Sequence, residues 1–169
     1  MAISLGIDAS VRSTGITYLS PTECKTLNIR PKKILGGERL NYIASEFIAF
    51  LENIQAPSIV IMEGPSFYST NKPYLMGEVY GLFKYLTYCK LNLDPVLPSP
   101  KELKKYMCSS GDATKKQMIS KAIGLGCPVR QEDVCDSFAA ALLGIDILKS
   151  TNSPGTRKSL EVISKYALT

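Results

Sequence analysis

Leu5-Gly6-Ile7-Asp8-Ala9-Ser10-Val11-Arg12-Ser13-Thr14-Gly15 is the stretch on which the rest of the chain is organised. Ile3, Leu5 and Ile7 are β-formers on alternate positions, and they carry one carboxylate, Asp8, to the end of a strand. Gly6 and the Ala9-Ser10 pair let the backbone turn or approach a neighbour. Thr14-Gly15 leads into a second apolar run, Ile16-Thr17-Tyr18-Leu19, so the segment reads as a β-hairpin with a polar loop between Asp8 and Ile16. Lys25 to Ile29 supplies a third strand, with Ile34-Leu35 as a candidate extension, and Pro21 and Pro31 to Lys33 mark the turns. An antiparallel meander is the simplest arrangement.

Downstream, Leu40, Ile43, Ala44, Phe47, Ile48 and Leu51 follow a helical period between Arg39 and Glu52. Ser58 to Met62 is a short continuous apolar run of the kind buried in a parallel sheet, and it ends in Glu63-Gly64-Pro65. A second strand thus carries a second carboxylate to its C-terminal end, where open α/β sheets place their sites. Pro73 opens a helix with Leu75, Val79, Leu82, Phe83 and Leu86 on one face; Gly77 and Gly81 on it cost stability unless another helix or subunit packs closely there. Asp94 to Leu97 reads as a last short strand, and Ser99-Pro100 caps a helix from Lys101 to about Met107. Asp112 is the expected N-cap of a helix over Ala113 to Ile123, which puts Lys115 at the third position, where a capping box has Glu or Gln. A cation is unfavourable beside a helix N-terminus, so another role is expected to select it. The last core helix runs from Gln131 to Leu148 with Val134, Phe138, Ala141, Leu142 and Ile145 inward, and Asp133 and Asp136 one turn apart on a common face. The expectation is an α/β fold, a five-stranded mixed sheet (antiparallel meander, then parallel strands) flanked by helices. Residues 1–149 form its single domain, and residues 150–169 form a basic C-terminal tail: a polar linker to Arg157, then a short helix over Ser159 to Leu168.

With 169 residues the chain encloses a core without disulfides or a structural metal, and 45% hydrophobic against 21% charged residues excludes disorder. The formal charge of +5 comes from Lys and Arg gathered after residue 100, a pointer to a polyanion that a solvated basic surface would match equally well. Five cysteines without CxxC spacing speak against a disulfide framework or a zinc site. No apolar run reaches membrane-spanning length and no signal peptide is read, so the protein is expected to work inside a cell, away from membranes. The absence of histidine removes Ser-His-Asp and Cys-His nucleophile systems and histidine zinc sites in one step.

What remains is carboxylate chemistry. Asp8, Glu63, Asp133 and Asp136 make an all-oxygen set of the kind hard cations require, Mg²⁺ or Mn²⁺ before softer metals. Two such ions about 4 Å apart activate a water and stabilise the leaving oxygen of a phosphodiester, with no histidine needed. Each acid taken alone has an ordinary reading, Asp8 as a turn former and Asp133 as a helix-start charge. The argument rests on the four together.

At these residues the chain resembles the RuvC-type Holliday junction resolvases of the RNase H-like superfamily. The similarity runs to about residue 149, through Gly6-Ile7-Asp8 and Thr14-Gly15, Ile61-Met62-Glu63, Asp112 to Gln117, and Asp133-Val134-Cys135-Asp136-Ser137-Phe138-Ala139. It implies an RNase H-like fold and a crossover junction endodeoxyribonuclease whose four acids, here Asp8, Glu63, Asp133 and Asp136, bind two divalent ions. It also implies catalytic lysines at Lys104 and Lys115 near the scissile phosphate, and an aromatic, Phe67 or Tyr68, that enters the branched DNA and stacks on a base. Lys72, Lys101, Lys105 and Lys116 are the further candidates for DNA contact. The implied partners are branched DNA, four-way or three-way, and a second copy of the chain paired through the Gly77/Gly81 helix to cut two strands symmetrically; no nucleotide cofactor is expected. The implied location is the cytoplasm, or that of a host if the chain is phage-encoded. The chain departs from the pattern at Ala9-Ser10, where Pro-Gly is usual, and in the loop after Glu63.

Two other classes compete. A sugar-kinase or actin-like ATPase also begins with a strand-end Asp, but it needs two lobes and the chain has length for one. A non-catalytic nucleic-acid-binding module of the same fold predicts that the acids are dispersed or paired with Lys and Arg.

Overall fold

The structure, a computed structural model, describes residues 1–65 and 73–151. Strands β1 (Ser4–Asp8), β2 (Thr14–Leu19) and β3 (Cys24–Ile29) form the expected meander, and β4 (Ile59–Met62) joins β1 in parallel, giving the order β3-β2-β1-β4. Helices α1 (Gly36–Leu51) and α2 (Pro73–Leu91) cover one face of the sheet. Helix α5 (Glu132–Thr151) crosses the other, backed by α3 (Pro100–Cys108) and α4 (Lys115–Gly124).

Alternation along the strands decides what each layer receives. Ile3, Leu5 and Ile7 enter a core shared with Ile43 and Phe47 of α1 and Val79 and Phe83 of α2. Phe47 and Phe83 meet edge to face with centroids 5.0 Å apart, an arrangement worth about 1 kcal/mol beyond the area it buries. The intervening residues of β1, Ser4, Gly6 and Asp8, face α5 instead. There a Cβ on Gly6 would overlap the Ser137 carbonyl, and one on Gly15 the Asp133 carbonyl, so glycine at both positions is what lets the helix lie against the sheet. The Thr17 and Ser137 hydroxyls share a buried hydrogen bond of 2.8 Å at this contact. On β4, Val60 and Met62 join the α1/α2 core while Ile61 packs with Leu103, Ala140 and Ile147, so Glu63, next in the Ile61 series, also faces α5.

The structure departs from the expected elements in several places. Asp94 to Leu97 is one parallel bridge from Val96 to Ile61, not a fifth strand. Val96 N–H donates to the Val60 carbonyl and Met62 N–H to the Val96 carbonyl, both at 2.9 Å, but Pro95 and Pro98 on either side have no N–H to extend the ladder. Ile34-Leu35 does not extend β3, because Pro31 interrupts the chain after Ile29 and Leu35 becomes the N-cap of α1. The N-cap of α4 is Thr114, not Asp112: the Gln117 N–H donates to the Thr114 hydroxyl (3.3 Å) and the Thr114 N–H to Gln117 Oε1 (2.8 Å), a complete capping box two residues downstream. Lys115 is therefore the first residue of α4 rather than the third. Helix α3 starts as expected, with Ser99 as N-cap and Pro100 in the first turn. Helix α5 runs on to Thr151, past the expected end at Leu148 and the start of the tail; the rest of the tail, with its short helix at Ser159 to Leu168, lies outside the described residues. A Cβ on Gly77 or Gly81 would meet nothing within 4 Å, so among the described residues no element packs on that side of α2. No helix among the described residues is long and apolar enough to cross a membrane.

Candidate active site

Asp8 ends β1, and the Glu63 N–H just beyond β4 donates to the Ile7 carbonyl at 2.9 Å, which sets the two acids side by side. Across β1 and β2, Asp8 pairs with Gly15, and Gly15 pairs with Asn28 of β3. The first turn of α5 lies directly on this row, its Asp133 backbone against Gly15. The Asp133 carboxylate accepts from the Ser13 hydroxyl (2.5 Å) and Asn28 Nδ2 (3.4 Å), and Arg30 Nε donates to both Ser13 Oγ (3.2 Å) and Asn28 Oδ1 (3.0 Å). Asp133 is thus held over β2 and β3. Asp136, one turn on, acts on Asp8 and Glu63.

The electrostatics record that convergence. Burial holds the Asp8 carboxyl well above the usual carboxylate range, and the charges of Glu63, Asp136, Asp133 and Glu132 push the same way. Glu63 is pushed up to about 7, first by burial and then by Asp136, with Lys104 opposing. Asp136 is pushed up to about 6, by burial, then Glu132 and Asp133, with Lys104 and Lys115 opposing. Among the described residues no Lys or Arg forms a direct ion pair with any of the four acids. Partly buried oxygen donors that repel one another and have no paired cation are the donor chemistry of a hard divalent ion. The donor types fit such an ion, although among the described residues no three acidic side chains, Asp8, Glu63 and Asp136 included, stand close enough together to hold one, and Asp133 is turned to Ser13 and Asn28.

Asp8 and Glu63 open on a cleft of about 740 Å³ bounded by the β1–β2 turn, residues 31–35 and α2; Asp133 and Asp136 do not line it. Tyr80, on its α2 wall, donates its hydroxyl to the Glu63 carbonyl at 2.7 Å, and burial together with the nearby carboxylates holds the phenol far above its ordinary value.

Of the residues expected from sequence, Asp8, Glu63 and Asp136 lie within electrostatic reach at the end of the sheet, as does Lys104, whose charge acts on Glu63 and Asp136. Lys115 is exposed and paired with Glu132 Oε1 at 2.5 Å. Lys101, Lys105 and Lys116 are exposed on α3 and α4. Phe67, Tyr68 and Lys72 lie outside the described residues. Sequence reasoning passed over Glu132, Ser13, Asn28 and Tyr80. Glu132 had a signal, its place beside Asp133 at the helix start; Ser13 and Asn28 had none, since their link to Asp133 spans 120 and 105 positions.

No family model matches the chain. Over 150 residues, covering 83% of this chain and 93% of the relative, it is 31% identical to the crossover junction endodeoxyribonuclease RuvC of Carboxydothermus hydrogenoformans. Thermus thermophilus RuvC in complex with a Holliday junction substrate superposes with a TM-score of 0.70 at 19% identity, covering 84% of this chain and 92% of that one. The fowlpox virus Holliday junction resolvase gives 0.54 at 12% identity, covering 85% and 98%. Both structures share the fold described above.

Proposed function

The chain belongs to the RuvC family of crossover junction endodeoxyribonucleases, and we propose that it resolves Holliday junctions and related branched DNA by metal-dependent hydrolysis of a phosphodiester bond. The observation that carries the reading is that Asp8, Glu63 and Asp136, from three separate elements, stand within electrostatic reach at one end of the sheet as partly buried carboxylates: Glu63 and Asp136 push Asp8 up, and Asp136 pushes Glu63 up. A non-catalytic module of the same fold has no use for that arrangement, which costs stability. Among the described residues there is one sheet, whereas an actin-like ATPase is built on two lobes.

Asp8, Glu63, Asp136 and Asp133 are the residues to hold two divalent ions, Mg²⁺ or, in substitution, Mn²⁺. When bound, such ions make a water nucleophilic at neutral pH and stabilise the leaving oxygen. The chain's own part is to orient the acids and to keep nearby a positive charge that opposes their protonation. Hydrogen bonds to the Glu63 backbone fix that residue, and the charge of Lys104 favours its ionised form and that of Asp136. Lys115, at the start of α4 and within electrostatic reach of Asp136, offers a positive charge to the phosphate, and Glu132 holds its ammonium in place. Lys72, Lys101, Lys105 and Lys116 contribute phosphate contacts, and Phe67 or Tyr68 stacks on a base at the crossover. Two copies, paired through α2, bring two such sites to one junction.

Nicking of a labelled four-way junction with and without Mg²⁺ tests the reading. Cleavage should need the ion and disappear in Asp8→Asn and Glu63→Gln. A folded protein that leaves the junction intact in both Mg²⁺ and Mn²⁺, or variants that still cut, would sink it.

A further inference from the structure

The cleft beside Asp8 and Glu63 has a second wall of opposite charge, formed by Arg39 with Arg12 and Lys33. Arg39 stands in the first turn of α1 yet is only 4% exposed. Its Nη2 donates to Glu78 Oε2 of α2 at 3.2 Å, while its Nε is buried without a partner. Glu78 is 41% exposed, so a single contact to a solvated carboxylate answers a guanidinium that is almost wholly out of water. A buried charge in that state leaves hydrogen-bonding capacity unused, and a fork of donors facing a cleft is suited to an oxyanion. Leu35, the N-cap of α1, also borders the cleft and gives the first turn no side-chain hydrogen bond. The positive end of a 16-residue helix therefore opens on the same space. Lys33 and Arg12 are exposed at the rim, and neither takes part in the ion pairs among the described residues.

The geometry points to a phosphate subsite here: Arg39, with Lys33 and Arg12 at its mouth, binds a backbone phosphodiester of the DNA other than the one that is cut. The inference rests on the nuclease reading and adds to it how the cleft takes its substrate. Phosphate contacts of this kind set register and orientation, so this wall would position the strand while the acid wall faces the bond to be broken.

Binding of a fluorescein-labelled four-way junction, followed by anisotropy in EDTA between about 50 and 200 mM salt, tests it without any cleavage. The Arg12→Ala/Lys33→Ala double variant removes two exposed side chains and should weaken binding about tenfold, with a salt dependence shallower by about two. Arg39→Gln should make it shallower by about one, a change that loss of a mere α1–α2 tie would not produce. Wild-type affinity and salt slope in the double variant overturn the subsite, and that variant decides the matter if Arg39→Gln fails to fold. Mg²⁺-dependent cutting by the wild-type protein is measured alongside: if that fails, the nuclease reading falls, whereas normal cutting with unchanged binding by the variants removes only the subsite.

Discussion

Glu63 is held by its backbone on three sides. Its N–H donates to Ile7, its carbonyl accepts from Tyr80 at 2.7 Å, and the following N–H of Gly64 donates to Pro98 at 2.7 Å. The carboxyl group so fixed has other acids for neighbours and no direct cationic partner among the described residues, a state that only a bound cation would fully relieve. In metal-free protein, Asp8→Asn should therefore raise Tm by several degrees, while junction cleavage in Mg²⁺ falls about a thousandfold or more. A lowered Tm, measured calorimetrically in EDTA, would contradict mutual repulsion at this site. The same repulsion gives stability a pH dependence whose sign follows from linkage. Glu63 at about 7 and Asp136 at about 6 lie above their ordinary values of 4.5 and 3.8, so the folded state binds more protons than the unfolded chain in between. Their contribution is complete below the unfolded values and is lost as pH rises through 6 and 7. Denaturant unfolding of the metal-free protein should thus show a loss on the order of 2–3 kcal/mol between about pH 5.5 and pH 8, reduced in Glu63→Gln and opposed by added Mg²⁺.

At the scale of elements, the site depends on how closely α5 lies on the sheet. Gly15→Ala would drive a methyl group into the Asp133 backbone, which has no flexible end to swing away. The expected result is a destabilisation of about 3 kcal/mol or more, or a shifted helix whose acids no longer meet, seen as a lowered denaturant midpoint and lost cleavage. Thr114→Ala removes an N-cap, should cost about 1 kcal/mol, and tests the register of α4, since Asp112→Ala should cost less. These two elements also mark what was legible in the sequence. The strand ends at Asp8 and Glu63 could be read because alternation alone carries them, and α5 because a long apolar period ignores its surroundings. The cap of α4 was misread because Asp112 and Thr114 are both capping residues, and only Gln117, three beyond Thr114, separates them. Pro95 and Pro98 are legible in the sequence, and each withholds an N–H that a strand built on Val96 would need. The tie between Asp133 and Asn28, and the burial of Arg39 on the outwardly polar start of α1, are products of tertiary contact that no local pattern encodes.

At the scale of the molecule, α2 presents a face that the other described residues do not cover. Tyr74, Gly77, Gly81, Tyr85 and Tyr88 recur at helical spacing on the side opposite Val79, Phe83 and Leu86, and the three tyrosines are all more than half exposed. Two glycines one turn apart, with no described residue within 4 Å of where their Cβ atoms would stand, destabilise an isolated helix but allow a second helix to cross close to its backbone, with the tyrosine rings closing around the crossing. A second copy of the chain, related by a two-fold axis, would meet this face with the same face, as symmetric cutting of two strands requires. Sedimentation should therefore give a dimer for the wild-type protein and a monomer for Gly77→Leu/Gly81→Leu, whose bulk fills the crossing while leaving the α1/α2 core untouched. On a cruciform plasmid the wild type should linearise the circle by paired cuts, and the variant should accumulate nicked circles. A wild-type monomer, or a variant that still dimerises and linearises, would remove α2 as the pairing element and leave each acid site to act alone.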